Sequence, residues 1–428
     1  MLTRDDLIQR FHGYGAPRER WLIGGEFERL ALRSDGGPVP YHGEGGIRWI
    51  LETLAERHGW AIQREGEYPI ALLRDGASTT LEPGGQVELS GAPHKSLLDV
   101  ATESLRSLGE LEALSAEADL RWTALGLTPY ADIADIGWVP KGRYEVMREY
   151  LPTRGDRALY MMKGTTSFQA NFDYADEDDC ARKLGTMSRL GALTTAMFAN
   201  SPLLGGEETG FMSYRGEIWT RTDPDRTGFP LAEDYTHEGW VDYLLDVPMM
   251  FFKQGGRWAH AGGRTFREYM TTGLDGAFPD EDDWALHETS VFPEVRVKAT
   301  IEVRGADAVP LPLAFAGIAL WTGLIYGGLS DAEALSREFA GTAPTADRFS
   351  TACRGGLAGE LGGRKLADWA ADMVDIARRG LADRSAEEQA LLDPLAALVA
   401  SGESPAAAAL RAWRDDPSPA AFLPRVAY

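Results

Sequence analysis

The sequence predicts an α+β fold: a largely antiparallel β-sheet forming a cradle, with flanking helices and a helical C-terminal region. Three observations carry this. Several segments alternate so cleanly that one face is apolar and the other polar, the pattern of a sheet open to solvent or ligand on one side. Helical patterns of unequal length separate them, which is not the regular strand and helix alternation of a parallel sheet. From about Asp331 to the end the chain becomes Ala-rich and helix-favouring.

Helices are predicted at 46–58, 97–118 and 176–198, where apolar residues recur at three-to-four spacing, as in Leu184, Met187, Leu190, Thr194 and Met197. The acidic run Asp176–Asp179 suits the positive end of the last of these helix dipoles. Four strands are predicted. Trp21–Leu32 sets Glu26 and Glu28 on one face beside Gly24 and Gly25, where a ligand could approach the backbone. Thr79–Ser90 sets Gln86 and Glu88 together after the Pro83-Gly84-Gly85 interruption, with Glu82 before it. Thr165–Asp173 turns Thr165, Ser167, Gln169, Asn171 and Asp173 to one side. In Glu294–Arg304 every odd position is apolar and every even one polar, a half-buried strand with a charged wall.

At 428 residues the chain exceeds a typical compact core. It reads as one integrated catalytic domain over 1–428, with residues 1–330 as the sheet cradle and 331–428 as a helical extension packed on it. Residues 308–329 carry no charge and are long enough to span a membrane, but Pro310, Pro312 and several glycines interrupt them and no basic flank anchors them, so they read as a buried core helix. No membrane partner is expected.

The formal charge of -22 opposes binding to nucleic acid, whose phosphates need clustered Lys and Arg. Cys180 and Cys353 lie far apart without CxxC spacing, which suits a reducing cytoplasm. The N-terminus MLTRDDLIQRF has no apolar signal region. Small molecules are left as the expected partners, with the chain acting as a monomer or homodimer.

Carboxylates on shared strand faces are the chemistry that stands out. Mg²⁺ takes oxygen ligands and commonly bridges protein acids to phosphate, which Glu26, Glu28, Glu82, Glu88 and Glu302 would supply. For any one of these residues a solvated strand face explains the charge equally well; five grouped with glycines favour the metal. Arg215, Arg221, Arg226 and Arg304 lie in polar, strand-like or turn-rich segments where guanidinium forks could hold carboxylate or phosphate, although Arg221 reads as a surface charge. The patterns GxGxxG, GxxxxGK[ST], HExxH and GxSxG are missing from the sequence, and His287-Glu288 lacks a second histidine. A glycosidase with two carboxylates is a weaker alternative, because it needs no such array of Arg and Glu.

Six segments in order, EPGGQVELSGAP (82–93), VPKGRYEVMREYLP (139–152), FANSPLLGG (198–206), SYRGEIWTRTDPDRTG (213–228), VDYLLDVPMMF (241–251) and FPEVRVKATIEVRGAD (292–307), together resemble the plant-type glutamate-cysteine ligases, a family also found in bacteria. The resemblance runs almost end to end. It implies a glutamine-synthetase-like fold whose curved antiparallel sheet holds ATP, Mg²⁺ and glutamate, and a place in the biosynthesis of glutathione or another small thiol.

By matching motif, Glu26, Glu28, Glu82, Glu88 and Glu302 would be Mg²⁺ ligands, with Gln169 as a neutral ligand or substrate contact. Arg304 would contact nucleotide phosphates, with Glu302 and Glu88 beside it, and Arg304 and Arg215 would be the catalytic cations. Thr165, Asn171, Arg215 and Trp219 would shape the glutamate and acyl-phosphate region. The implied reaction is attack of the glutamate γ-carboxylate on ATP, then of the amine of cysteine on γ-glutamyl phosphate. Two departures stand out. Gly164 occupies the place of an arginine usual in the family, with Lys163 before it as a substitute cation, and Phe27 replaces a more polar residue. The resemblance therefore leaves open a paralogue that joins glutamate to another amino acid or amine. A regulatory pseudoenzyme is disfavoured by the retained acids, and the disulfide regulation of plant members finds little support in two distant cysteines.

Overall fold

The computed structural model describes residues 2–231 and 233–428. Among these residues one nine-stranded sheet is built from β1 (Ile23–Leu32), β2 (Ala61–Glu65), β3 (Tyr68–Arg74), β4 (Ala77–Leu81), β5 (Val87–Ser90), β6 (Arg121–Thr123), β7 (Ser167–Phe172), β8 (Val295–Val297) and β9 (Ile301–Asp307). The order is β8-β9-β7-β1-β5-β4-β3-β2, with β6 paired to the far end of β1. Every pairing is antiparallel. The α+β cradle with flanking helices and a helical C-terminal region is thus present.

The alternation in the sequence decides which face is buried. Ile23, Phe27, Val87, Leu89, Phe168, Ala170, Phe172, Ile301 and Val303 are all buried on one side. Against them lie two helices. The first, Glu177–Phe198, is capped by Asp176, whose side chain accepts the Asp179 N–H, and it is continuously buried from Lys183 to Phe198. The second, Leu311–Thr322, sets Phe315 edge-on to Phe27 at 5.9 Å and Gly317 over the ring of Phe168. Burial of so many large apolar side chains is the main force holding the sheet to its helices.

The uncharged 308–329 segment is this core helix, which runs into a π-helical turn, Gly323–Gly327. There the backbones of Gly323 and Gly380 pass so close that no Cβ fits on either residue. The chain then bends by 108° into Leu329–Ala340, and no single helix among the described residues is long and apolar enough to cross a membrane. The C-terminal region packs on the cradle through the carbonyl of Cys353, which accepts the N–H groups of Met212 and Ser213, and through Ser404, whose hydroxyl donates to the Ala196 carbonyl.

Four expectations are corrected. Glu294–Arg304 is not one strand but the β8–β9 hairpin, in which Val297 faces Ile301. The Lys298–Thr300 turn preserves the odd and even alternation, so periodicity alone cannot reveal it. The 97–118 helix is two helices, Leu97–Glu112 and Ser115–Ala118. The segment around Arg215 is helical, Tyr214–Thr220, with Ser213 accepting the Gly216 N–H as its cap. Gly24 and Gly25 leave room for protein, not ligand: a Cβ at Gly25 would meet Val100 at 2.9 Å, and one at Gly24 would meet Asn171 at 3.1 Å.

A Cβ at Gly317 would lie 2.5 Å from the Phe168 ring. Gly317→Ala is predicted to cost about 1–3 kcal/mol through overpacking, read as a lower urea midpoint with an unchanged slope. An unchanged midpoint would show that the core helix is not seated as described.

Candidate active site

The opposite, polar face of the sheet is where the predicted acids meet. Across the ladder Glu28 faces Glu88, Glu88 faces Thr80, Glu26 faces both Ser90 and Gln169, and Glu302 faces Asn171. Glu82 reaches the same place from the turn joining β4 to β5, closed by a Gly85 N–H to Glu82 carbonyl bond of 2.9 Å. Gly85 sits at φ +91°, where a side chain would be strained. Gly84 packs so tightly on the backbone of Lys163 that a Cβ would come within 2.7 Å of its Cα. Gln86 fastens this turn down: its Oε1 accepts the Gly84 N–H at 2.9 Å and its Nε2 donates to the Thr165 carbonyl at 2.9 Å.

A cavity of about 200 Å³ lies over this face. Glu26, Glu28, Glu82, Glu88, Thr165, Gln169, Arg215, Trp219 and Arg304 all line it. Asn171, Lys163 and Glu302 are not lining residues. Asn171 instead holds Glu26, donating from Nδ2 to its Oε1 at 2.7 Å. Lys163 is turned away, with its ammonium 5.0 Å from the centre of the Trp138 ring. A Cβ at the neighbouring Gly164 would sit 2.7 Å from the Ile133 Cδ1, so a side chain there would displace the tip of Ile133. The space next to Thr165 is thus filled by a small apolar cluster of Ala131, Ile133 and Ile136. Phe27 is a core residue on the buried face.

Electrostatics divide the acids into two kinds. Glu28 is half-buried and Glu88 buried, each beside other carboxylates, and at Glu28 the charges of Arg215 and Arg304 only partly offset this. Burial, and then the charge of Glu82, pushes Glu28 up to about 7. Burial, and then the charges of Glu26, Glu82 and Glu28, pushes Glu88 well above the usual carboxylate range. What bonds they have are neutral: Glu28 accepts the Ser167 N–H at 2.6 Å and the Gln169 amide at 3.1 Å, and Glu88 accepts the Thr80 hydroxyl at 2.8 Å.

Glu302 is the opposite case. Burial alone would raise it, but Arg296, Lys298 and Arg304 hold it well below the usual range. Arg296 donates to both its oxygens at 2.8–3.0 Å, Lys298 lies at 3.2 Å, and Arg304 also pairs with it.

Arg304 stands at a β-bulge, where Val303 pairs with Ala170 but Ala306 with Phe168. The extra residue re-aims the strand, and the Arg304 guanidinium spans Glu302 and Gln169 Oε1, the latter at 2.7 Å. Arg215 is buried and donates to the Arg304 carbonyl at 3.0 Å, 3.9 Å from Asp307. Asp307 in turn accepts from Ser201, Ser213 and the Asn200 N–H at 2.6–2.9 Å, which fixes the helix carrying Arg215. Arg221 pairs with Asp156 on the surface, and Arg226 is buried against Asp223 away from the cavity.

The crowding of four acids, three of them bonded to neutral donors, fits a divalent cation, whose charge would offset theirs. As they stand, no three acids among the described residues converge closely enough to coordinate one ion; to hold one together, their side chains would have to rotate. Glu302, already saturated by three cations, has no free oxygen to add.

Two basic residues of the VPKGRY segment had no role assigned from sequence. Arg143 lines the cavity, and Lys141 beside it is pulled down to about 8 by burial and by Arg143, against the attraction of Glu82 and Glu88. Their segment braces the Glu82 turn: the Val139 N–H donates to the Pro83 carbonyl at 2.9 Å and Tyr144 to the Leu81 carbonyl at 2.6 Å. The signal was the VPKGRY motif, whose basic residues follow a proline into a helix.

The family model of Glutamate-cysteine ligase family 2 (GCS2) matches residues 22–420. The chain is 36% identical over 421 residues to the chloroplastic glutamate–cysteine ligase of Brassica juncea, spanning 95% of this chain and 80% of that protein. To glutamate–cysteine ligase A, chloroplastic, of Oryza sativa subsp. indica it is 36% identical over 417 residues, spanning 95% and 83%. Its fold is similar to the crystal structure of a glutamate–cysteine ligase from Francisella tularensis in complex with AMP, with a TM-score of 0.58 and 14% identity over 95% of this chain and 87% of that one.

The crowding makes a pH prediction. The folded chain keeps the Glu28 proton up to about 7, whereas an unfolded glutamate releases it near 4.3 or so, about the model-peptide value. Between these values the folded state binds more protons, so stability falls as pH rises. In EDTA the Tm is predicted to fall from pH ~5 to ~7. Glu28→Gln should flatten the fall, and Mg²⁺ should raise the Tm most at the upper end. A Tm that is constant or rises across this window in EDTA would contradict the crowding.

Proposed function

The chain belongs to glutamate-cysteine ligase family 2, and on that premise we propose that it is an ATP-dependent ligase forming γ-glutamylcysteine from glutamate and cysteine. The observation that supports this reading best is the crowded set of Glu26, Glu28, Glu82 and Glu88, facing Arg143, Arg215 and Arg304 across one cavity.

In the proposed reaction the glutamate γ-carboxylate attacks the γ-phosphorus of ATP; the bond to ADP breaks and γ-glutamyl phosphate forms. The acceptor amine, having lost its proton, attacks the acyl carbon, and phosphate leaves. Such chemistry rests on positioning and charge neutralisation and needs no protein nucleophile. Glu26, Glu28, Glu82 and Glu88, with Gln169, would hold Mg²⁺, which when bound neutralises phosphate charge. Arg304, held by Glu302 and Gln169, would stabilise the transferring phosphoryl group. Arg215, Thr165 and Trp219 would shape the glutamate and acyl-phosphate region. Asn171 acts as a positioning residue through Glu26, and Glu302 as one through Arg304. Met250, Phe251 and Phe292 give the cavity apolar walls that exclude water from the acyl phosphate.

We further propose that 1–330 and 331–428 work as one catalytic body, as a monomer or homodimer in the cytoplasm; the free, buried Cys180 and Cys353 suit a reducing compartment. A second reading, ligation of glutamate to another amine, is favoured by one observation: Ile133 fills the space beside Thr165 and Lys163 faces away. Carboxylate recognition there must rely on Arg143 or Arg215.

Purified protein with ATP, Mg²⁺ and glutamate, supplied separately with cysteine and with other amines, is predicted to release ADP and yield γ-glutamylcysteine by mass. Glu28→Gln should lower turnover about 10- to 100-fold at limiting Mg²⁺ and recover partly as Mg²⁺ is raised. Turnover with another amine but not cysteine would favour the second reading. ATP-independent turnover, or none with any amine, would overturn the ligase.

A further inference from the structure

Strand β1 changes partners in the middle of the carboxylate face. On one flank β5 pairs with it from Glu26 to Arg29. On the other flank β7 pairs with it as far as Phe27, and β6 takes over only at Leu30, so Glu28 and Arg29 fall between two ladders. A strand carbonyl at such a break needs a donor from elsewhere in the chain.

Tyr428 supplies one. Its hydroxyl donates to the Glu28 carbonyl at 3.2 Å. The segment that carries it runs along β6: the Ala124 N–H donates to the Val426 carbonyl at 2.8 Å, the Tyr428 N–H donates to the Trp122 carbonyl at 3.2 Å, and Ala427 faces Thr123. Phe422, Leu423 and Val426 are buried with Leu410 and Trp413, which seats the segment. The Tyr428 ring also meets the next residue of β1. Arg29 is fully buried, its Nε has no partner among the described residues, and its other nitrogens reach Ser104 and Ser107 at 3.1–3.5 Å. The ring faces of Tyr428 and Phe27, each 5.8 Å from the guanidinium carbon, are electron-rich surfaces beside that charge. One side chain thus holds two successive residues of β1.

We propose that Tyr428 is a positioning residue for the cation-binding acids. It fixes the backbone of Glu28 where neither β6 nor β7 does, and so keeps the Glu28 carboxylate within reach of the ion that Glu26, Glu82 and Glu88 would share. Glu28 is where such an anchor matters, because it stands directly opposite Glu88, and a strand held on one flank alone can relieve that repulsion by shifting. The Ser167 N–H and Gln169 hold the carboxylate; Tyr428 holds the peptide that carries it. Tyr428 does not line the cavity, so it acts through Glu28 and not on a substrate. The proposal rests on the reading of these acids as a Mg²⁺ site.

The test is calorimetric titration of the full chain with Mn²⁺, without nucleotide or glutamate. Tyr428→Phe keeps the ring and removes the hydroxyl; it is expected to weaken Mn²⁺ binding about three- to tenfold, the loss of one neutral hydrogen bond. In turnover the same variant should raise the KM for Mg²⁺ by a similar factor and keep kcat at saturating Mg²⁺. Leu410→Ala, which opens a cavity in the cluster that seats the segment and leaves the hydroxyl in place, is the control for loosened packing: its Tm should fall while its Mn²⁺ affinity stays that of the wild type. Unchanged Mn²⁺ affinity in Tyr428→Phe, an equal loss in Leu410→Ala, a fall in kcat that excess Mg²⁺ does not restore, or a wild type that binds no Mn²⁺ would each overturn the proposal. A wild type whose Mn²⁺ binding depends on Tyr428 but which turns over no substrate would overturn the ligase reading and leave this role standing. Ligase turnover with Mn²⁺ affinity indifferent to Tyr428 would do the reverse.

Discussion

Repulsion among four carboxylates held on one sheet face is the constraint to which the rest of the structure answers. Antiparallel register sets Glu28 directly opposite Glu88, and like charges a few ångströms apart cost about 1 kcal/mol in water and about 4 at an intermediate effective dielectric. The strands cannot splay to relieve this, because their other face is locked by Phe27, Phe168 and Leu89 under the two long helices. The Glu82 turn cannot lift either, being tied down by Gln86 and by the Val139 N–H. Relief is left to protons or to a bound cation. A site that prefers a cation over protons near neutral pH is what charge-neutralising phosphoryl chemistry uses.

The same face carries a second solution to the same problem. Glu302 is buried more deeply than Glu88, yet Arg296, Lys298 and Arg304 surround it. Its charge is spent inside the protein, and what it yields is a fixed guanidinium at Arg304, aimed by the bulge and steadied by Gln169. One sheet therefore holds an anionic half beside a cationic half. Arg215, anchored through Asp307 and the cap of its helix, extends the cationic half toward Trp219.

Strand parity was the legible part of the sequence. Because side chains alternate strictly, Glu26 with Glu28, Gln169 with Asn171, and Glu82 with Glu88 could be grouped before any pairing was known, and the sheet brings them together. What alternation could not carry was everything that keeps parity while changing direction. The Lys298–Thr300 turn preserves the odd and even pattern, so a hairpin read as one strand, and the bulge at Arg304 flips parity without a glycine-rich signature beyond Gly305. Helix Tyr214–Thr220 is too short to show a period. The division between Glu302 and the other acids depends on which cations lie nearby in space, and no local spacing records that. The Gly164 departure was visible, but the side chain that packs over it, Ile133, lies thirty-one positions earlier in the chain.

The most direct measurement is a crystal structure of the protein soaked with Mn²⁺ and a non-hydrolysable ATP analogue, with the metal located by anomalous scattering. The account predicts anomalous peaks among Glu26, Glu28, Glu82 and Glu88, with the analogue's phosphates turned toward Arg304 and Glu302 still bound to Arg296. Peaks at Glu302 in place of the four acids, or phosphates bound with no metal in the cavity, would contradict it.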